Sequence, residues 1–307
     1  MHPANEITLH RTNALDRAAA RRLQRRRDAD ELVRVRHGVY VERAPWEALD
    51  GRAKHLVRMR AVTPLLPTGA VFALESSAAV HGVPRLEPWT ERVHAVVPSL
   101  EYDVHRVGLT MHAGSTGRAA SRFWGVEFAS LAWTAVEVGR RGTLCSAVVA
   151  IDHALRSGIA LTELEEICDR VGPWGSIRLE HAFAIADARH ESVGESFFAA
   201  RAAELGCQDL EPQHEFVNAD GSVDRVDFWL PRHGVVLEFD GRQKYEDPSM
   251  LAGRAPRDVL WEEKRREDRV RARPEVRRFV RADWSHLVDR ERLRAVFRQH
   301  GVPCGRR

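Results

Sequence analysis

One stretch limits what this chain can fold into more than any other: Gly221–Tyr245, GSVDRVDFWLPRHGVVLEFDGRQKY. It reads as two short strands joined at Pro231–Gly234. Val223, Arg225, Asp227 and Trp229 alternate along the first. The second, Val235–Asp240, is almost continuously apolar and ends in Glu238-Phe239-Asp240-Gly241. Side chains two apart share a strand face, so Glu238 and Asp240 point the same way. A turn centred between Arg232 and His233 sets Asp227 directly opposite Glu238. Like charges so placed destabilise a sheet. A run as apolar as VVLEF is a buried strand, where an unpaired carboxylate is costly. Positive charge must therefore sit among Asp227, Glu238 and Asp240. A hard divalent cation with oxygen ligands, Mg2+ or Mn2+, meets that need. So does a structural network in which Arg225, Arg242 or Lys244 neutralises the acids, and spacing alone leaves both open.

The hairpin belongs to a chain of 307 residues, long enough for two or three domains with buried cores. With 44% hydrophobic and 30% charged residues, the composition is globular and not disordered. No apolar run reaches membrane-spanning length and no apolar signal segment opens the chain, which predicts a cytoplasmic protein without a membrane partner. Cys145, Cys168, Cys207 and Cys304 lack any C-x-x-C spacing and read as reduced thiols. Net charge is only +3, but it is unevenly placed. Residues 1–60 hold 14 Lys and Arg against 8 Asp and Glu, and residues 261–307 hold 15 against 8. Two basic ends around a near-neutral middle point to an anionic polymer, DNA, as partner.

Residues 14–27, ALDRAAARRLQRRR, predict a helix with Leu15, Ala19 and Leu23 on its apolar stripe. ELVRVRHGVYV then predicts a hairpin turning near His37-Gly38. A helix followed by a basic two-stranded wing is how a winged helix-turn-helix ends, with the helix in the major groove and the wing on phosphates. Arg21, Arg22, Arg25, Arg26, Arg34 and Arg36 are thus candidate DNA-binding residues. An amphipathic helix packed on the next domain is the competing account.

Further along, residues 52–66 predict a helix and Ala70–Leu74 a strand, and Ser76 is placed to cap a helix Ser77–His81. Val93–Val97 and Val107–His112 read as strands. Phe128–Val138, Cys145–Arg156 and, capped by Thr162, Glu163–Val171 read as helices. No Gly-x-Ser-x-Gly elbow accompanies Ser76, Ser77 and His81, and Asp152-His153 reads as a core pair, so this middle has no legible site. In the last third, a helix over Leu179–Arg189 leads to Ser192 and Glu195, which form a capping-box pattern before a helix Ser196–Leu205. A strand Glu215–Val217, the hairpin, a loop over 242–256, a charged helix Val259–Ala272, a strand Val276–Val280 and a helix Arg290–Gln299 follow. The predicted class is α/β (α+β) in three domains, 1–49, 50–189 and 190–307. Arg265, Arg266 and Arg269 recur at helical spacings and are candidates to clamp phosphates. A solvated basic face offset by Glu262, Glu263 and Asp268 explains the same spacing.

Two resemblances sharpen these expectations. RRLQRRRDADELVRVRHGVYV with VFALESSAAVHGVP resembles the N-terminal part of actinobacterial proteins related to AbiEi-type antitoxins of type IV toxin–antitoxin systems. That resemblance implies a winged-helix DNA-binding segment, here with only Met1–Asn13 before its helix, and a cognate toxin or self-association as partner. Over roughly residues 190–298, the series Glu195, Arg225-x-Asp227-Phe228, Glu238-x-Asp240-Gly241, a Glu-Lys-x-Arg-Glu-Asp helix and an Arg-Phe-Val strand resembles the very-short-patch-repair (Vsr)-like branch of restriction-endonuclease-like folds, the PD-(D/E)xK superfamily. It implies a Mg2+-dependent endonuclease with Asp227, Glu238 and Asp240 as metal-site acids and Glu195 as the helix acid beside them. The superfamily's usual lysine is replaced by Asp240, so positive charge for catalysis is expected from Lys244 or Lys264. The alternative expectation is a non-catalytic DNA-binding regulator on the same scaffold.

Overall fold

The computed structural model describes residues 3–12, 16–117, 119–207, 209–241 and 256–305, backbone alone at 120 and 256–260. The chain forms two compact units, Met1–Leu179 and Glu180–Arg307. The mixed α+β class is as expected from sequence.

The first unit begins with β1 (His10–Arg11), α1 (Arg17–Asp28), β2 (Leu32–Arg36) and β3 (Val39–Glu42), and the strands form one sheet in the order β1-β3-β2. Asp16 starts α1 by accepting the Ala19 N–H at 2.8 Å, and arginines fill its last turn, where the helix dipole favours cations. After α2 (Arg43–Glu47) and α3 (Gly51–Val62) comes a six-stranded sheet. Its strands are β4 (Val71–Phe72), β5 (Val93–Val96), β6 (Val104–Arg106), β7 (Leu109–His112), β8 (Ala119–Phe123) and β9 (Val126–Ala129), in the order β6-β7-β5-β4-β9-β8, with α4 (Leu74–His81) following β4. Ile7, Val41 and Trp46 share one hydrophobic core with Leu56, Phe72, Val93 and Leu109, so the wing and the middle segment are packed together. α5 (Leu131–Arg141) packs on α4, α6 (Leu144–Arg156) and α7 (Leu161–Arg170), and α8 (Ser176–Ile185) runs across the boundary.

Several local expectations shift. Ser76 caps nothing: α4 starts earlier, and Ser76 is buried, accepting the His94 N–H at 2.9 Å and lying 3.0 Å from His55 Nε2. His55 Nδ1 must donate to the Thr90 carbonyl at 2.9 Å, so Nε2 accepts from Ser76; burial lowers the His55 pKa to about 4 and keeps this ring neutral. The helix expected from Phe128 begins at Leu131, because Phe128 pairs with Phe72 in the sheet. Thr162 lies inside α7, whose N-cap is Ala160.

The second unit runs α9 (Val193–Glu204), β10 (Glu211–Val217), β11 (Val223–Leu230), β12 (Val235–Asp240), α10 (Pro256–Arg271), β13 (Arg278–Asp283), α11 (Trp284–Val288) and α12 (Arg290–Gln299). The expected order holds, with α11 added. The sheet order is β10-β11-β12-β13; the first two pairings are antiparallel and β12–β13 is parallel, which α10 makes possible as the crossover. Both faces are covered, which is why the second hairpin strand is apolar apart from Glu238 and Asp240. Phe216, Trp229, Val236 and Phe279 pack with Val270 of α10 on one face. Phe228 stacks on Phe198 of α9, which in turn meets Phe297 of α12, on the other. Phe239 lies so close to α9 that a Cβ at Gly194 would fall 1.9 Å from its ring, which restricts position 194 to glycine.

Candidate functional site

The hairpin register is the one its turn demands. Phe228 pairs with Leu237, Trp229 with Val236 and Leu230 with Val235, so the next position outward sets Asp227 across from Glu238. At that point a side chain replaces a ladder bond: Asp227 Oδ2 accepts the Phe239 N–H at 2.8 Å. On the other side of β12, the parallel register sets Glu238 beside Arg281 and Asp240 beside Asp283. Alternation turns Glu238 and Asp240 to the face that carries α10. Asp227, Glu238, Phe239, Asp240, Glu263, Arg266 and Arg281 line one small solvent-facing cleft of about 50 Å³.

Glu238 dominates its electrostatics. Although charged, it is only 7% exposed. Arg281 Nε and Nη2 both donate to its Oε2 at 3.3 Å, while Nη2 of the same guanidinium lies 2.9 Å from Glu267 Oε2. Arg266 Nη2 comes within 2.8 Å of Oε1 as an ion pair, yet not along a hydrogen-bonding direction, so buried Oε1 receives no hydrogen bond. Arg266 Nη1 donates to the Arg225 carbonyl at 2.6 Å. Burial works against the charge on Arg281, and Glu238, Glu267 and Asp240 together outweigh it and raise the Arg281 pKa. The neutralising cations are therefore Arg266 and Arg281. Arg225 pairs with Glu191 at 2.9 Å instead, and Arg242 and Lys244 lie outside the described residues.

The donor set suits a hard divalent cation in kind: oxygens only, four carboxylates in one cleft, and one buried carboxylate oxygen without a hydrogen bond. It is not a closed cage. Among the described residues no three His, Cys, Asp or Glu side chains converge as metal ligands, because Glu238 is turned to the arginines and Asp227 is engaged by the β12 backbone. The expected convergence of Asp227, Glu238 and Asp240 on one point is thus corrected to three acids sharing a cleft.

Glu195 takes the capping role that its spacing from Ser192 predicts, and not the place beside the metal-site acids that the Vsr-like resemblance implies. It does not line the cleft; its Oε1 accepts from the Ser192 hydroxyl at 2.7 Å, and its Oε2 accepts from the Glu191 N–H at 2.9 Å and from Gln213 Nε2 at 2.7 Å. It is a saturated capping residue of α9. Gln213 holds a left-handed backbone, φ 54°, at the β10 position that falls between the paired residues flanking Asp227. Such strain costs on the order of 1 kcal/mol and concentrates at functional sites. Lys264 is exposed, its Nζ 5.8 Å from the Trp261 ring centre, and it does not line the cleft. Arg265 is exposed. Arg269 forks onto Asp224 at 2.6 and 2.9 Å, which holds the Asp224 carboxyl below the usual range. Sequence reading singles out neither Arg281 nor Gln213, and it assigns Glu263 to a solvated helix face instead of the cleft. The Arg-x-Asp ending of β13 was the signal for Arg281, legible only once β13 is known to pair in parallel with β12.

In the first unit, Arg21, Arg22 and Arg25 of α1 and Arg34 of β2 are exposed. Arg26 is tied to Glu31 at 2.7 Å and Glu42 at 3.0 Å, and Arg36 donates to the Ala61 carbonyl at 3.4 Å. Arg26 and Arg36 are therefore committed within the fold, and the exposed guanidiniums of the candidate nucleic-acid face are the other four.

No family model matches the chain. Two uncharacterized proteins of Mycobacterium tuberculosis, Rv2248 and MT2308, are each 29% identical over 222 residues, covering 72% of this chain and 78% of theirs. Among solved structures, the crystal structure of the RV2827C protein from Mycobacterium tuberculosis is similar at a TM-score of 0.35 and 14% identity, covering 66% of this chain and 78% of that one.

Proposed function

We propose that this chain is a DNA-binding protein whose second unit is a divalent-metal-dependent phosphodiester hydrolase. The observation that carries the reading is Glu238: a buried carboxylate with an oxygen lacking a hydrogen bond, in one cleft with Asp227, Asp240 and Glu263 and with two guanidiniums. Asp227, Glu238 and Asp240 are the residues that would hold Mg2+ or Mn2+. Such an ion, when bound, supplies a water of lowered pKa and Lewis-acid polarisation of a phosphoryl oxygen. Asp240, at the end of β12, would complete the metal site or orient the attacking water. Arg266 and Arg281 offset the negative charge that grows on the phosphoryl oxygens. Arg21, Arg22, Arg25 and Arg34 bind duplex phosphates without selecting sequence. The resemblance to Vsr-like nucleases supports this reading. A cytoplasmic site of action is part of this proposal; among the described residues no helix is long and apolar enough to cross a membrane.

One observation favours a second reading. Arginines already neutralise Glu238, as expected of a regulator, antitoxin-like, that binds DNA and a cognate toxin or a second copy of itself without cutting. Incubating the full chain with supercoiled plasmid in Mg2+, Mn2+ or EDTA separates the two. Metal-dependent nicking that drops about 100-fold or more in Asp227→Asn, with duplex affinity retained, supports the hydrolase. Salt-sensitive gel shifts with no nicking in any metal overturn it in favour of the regulator.

A further inference from the structure

We infer that Arg266 and Arg281 are displaceable counter-ions, drawn from Glu238 by nucleic-acid phosphate, so that nucleic acid and divalent cation bind this cleft cooperatively. The inference rests on the hydrolase reading and adds to it the way in which the site is switched on.

Glu238 is too buried to go without a cation at any stage. The guanidiniums supply that cation now, from two separate elements, and together they engage both carboxylate oxygens. A divalent ion on Glu238 would meet their charge at close range, so the arginines compete with the metal until something else takes them. Neither arginine makes a short, aligned hydrogen bond to Glu238, although Arg266 Nη2 lies 2.8 Å from Oε1. Charge-assisted N–H···O bonds run to about 2.7–2.9 Å, whereas both Arg281 bonds to Glu238 are 3.3 Å and its closer partner is Glu267 at 2.9 Å. Arg266 approaches Oε1 off the hydrogen-bonding axis and keeps a separate anchor on the Arg225 carbonyl. Each arginine thus has a second partner that retains it at the cleft when it leaves Glu238.

The incoming group that fits is a phosphodiester. A guanidinium matches two phosphate oxygens in its plane, a better partner than an oxygen it meets off axis. The Arg266 and Arg281 side chains are 26% and 42% exposed and line the same cleft as the acids. Once phosphate holds them, Glu238 has both oxygens available to a metal beside Asp227 and Asp240. Linkage requires the converse: metal on Glu238 releases the arginines and tightens phosphate binding by the same factor.

The test is Mn2+ affinity of the full chain, read from free Mn2+ by electron paramagnetic resonance, with and without a short duplex carrying phosphorothioate linkages; the duplex alone is the blank. The expected result is that duplex tightens Mn2+ binding by about fivefold or more, within the usual range of coupling between sites. Arg266→Met should tighten Mn2+ binding without duplex by a similar factor and remove most of the duplex effect, and Arg281→Met should act in the same direction. Arg266→Lys and Arg281→Lys, which keep the charge, serve if either methionine variant unfolds, and should lose the duplex effect without the gain in basal affinity. Mn2+ binding that disappears in Asp227→Asn but responds to neither duplex nor the arginine variants overturns this inference and leaves the hydrolase reading standing. Mn2+ binding indifferent to Asp227→Asn overturns both.

Discussion

Glu238 carries two demands that pull apart, burial in a central strand and a full negative charge, and its neighbours at the residue scale are arranged around that conflict. Asp227 does not add a second unpaired charge, since its carboxylate stands in for a backbone partner of Phe239. Phe239 in turn dictates Gly194. In an exposed helix interior Gly→Ala gains about 0.5–1 kcal/mol, but here the new methyl would lie 1.9 Å from a ring that is already held edge-on by Trp284. Gly194→Ala should therefore lose about 1–3 kcal/mol in urea unfolding, and Phe239→Leu in the same chain should return part of the loss. A Gly194→Ala variant as stable as the parent would show that the ring has room. Glu195 belongs to the same scale: Glu195→Ala removes the acceptor for three donors and should cost about 1–3 kcal/mol. Because it works as a helix cap, it should leave Mn2+ affinity unchanged. These two adjacent residues at one helix start thus do different work, Gly194 by leaving room for the Phe239 ring and Glu195 by accepting hydrogen bonds.

At the scale of elements, α10 is what converts a hairpin into a site. It brings Glu263 and Arg266 over β12 and makes the crossover that sets β13, and with it Arg281, parallel to β12. It is moored by the Arg269 fork on Asp224, a carboxylate 2% exposed that also accepts from Asn218. Asp224→Asn should cost about 1–3 kcal/mol, discounted because Arg269 is half exposed, and should loosen the arginine arrangement over Glu238. Acid acts on the following element. Hydrogen bonds from Ser285, then His286, pull the Asp283 pKa down to about 2 and cap α11. A carboxylate depressed on folding stabilises the fold fully above its unfolded pKa of about 4 and loses that contribution as pH falls toward the folded value. Unfolding free energy should thus decline between about pH 4 and pH 2, and Asp283→Asn should flatten that decline. An identical pH slope in the variant would place the acid sensitivity elsewhere.

For the whole molecule, charge is the property that links the two units. The basic excess sits at both ends of the sequence, and in the first unit Arg21, Arg22, Arg25 and Arg34 are exposed while Arg26 and Arg36 are consumed internally. Duplex affinity should fall steeply with salt, and each phosphate-contacting arginine removed should lower the slope of log affinity against log salt by about 1. Arg21→Ala, Arg22→Ala and Arg25→Ala combined should therefore flatten it by up to about 3, whereas Arg36→Ala should act on stability and leave the slope alone. An unchanged slope in the triple variant would remove α1 from the nucleic-acid face.

Much of this is legible in the amino-acid sequence. Two-residue periodicity and a tight turn are local properties, so the hairpin, its register and the confrontation of Asp227 with Glu238 followed from the sequence, as did the capping pair Ser192 and Glu195 and the mixed α+β class. Contacts made across long separations were not readable. Glu238 and Arg281 are 43 residues apart, and nothing local says that a strand after a charged helix will lie parallel to the hairpin. The short strands around Ala119–Ala129 escaped for a related reason: they are defined by pairing with one another and with β4, not by a run of their own. The sequence alone determined that a buried acid would need a positive partner. Tertiary structure decided that two arginines provide it, because only the folded chain brings α10 and β13 to the two oxygens of one carboxylate.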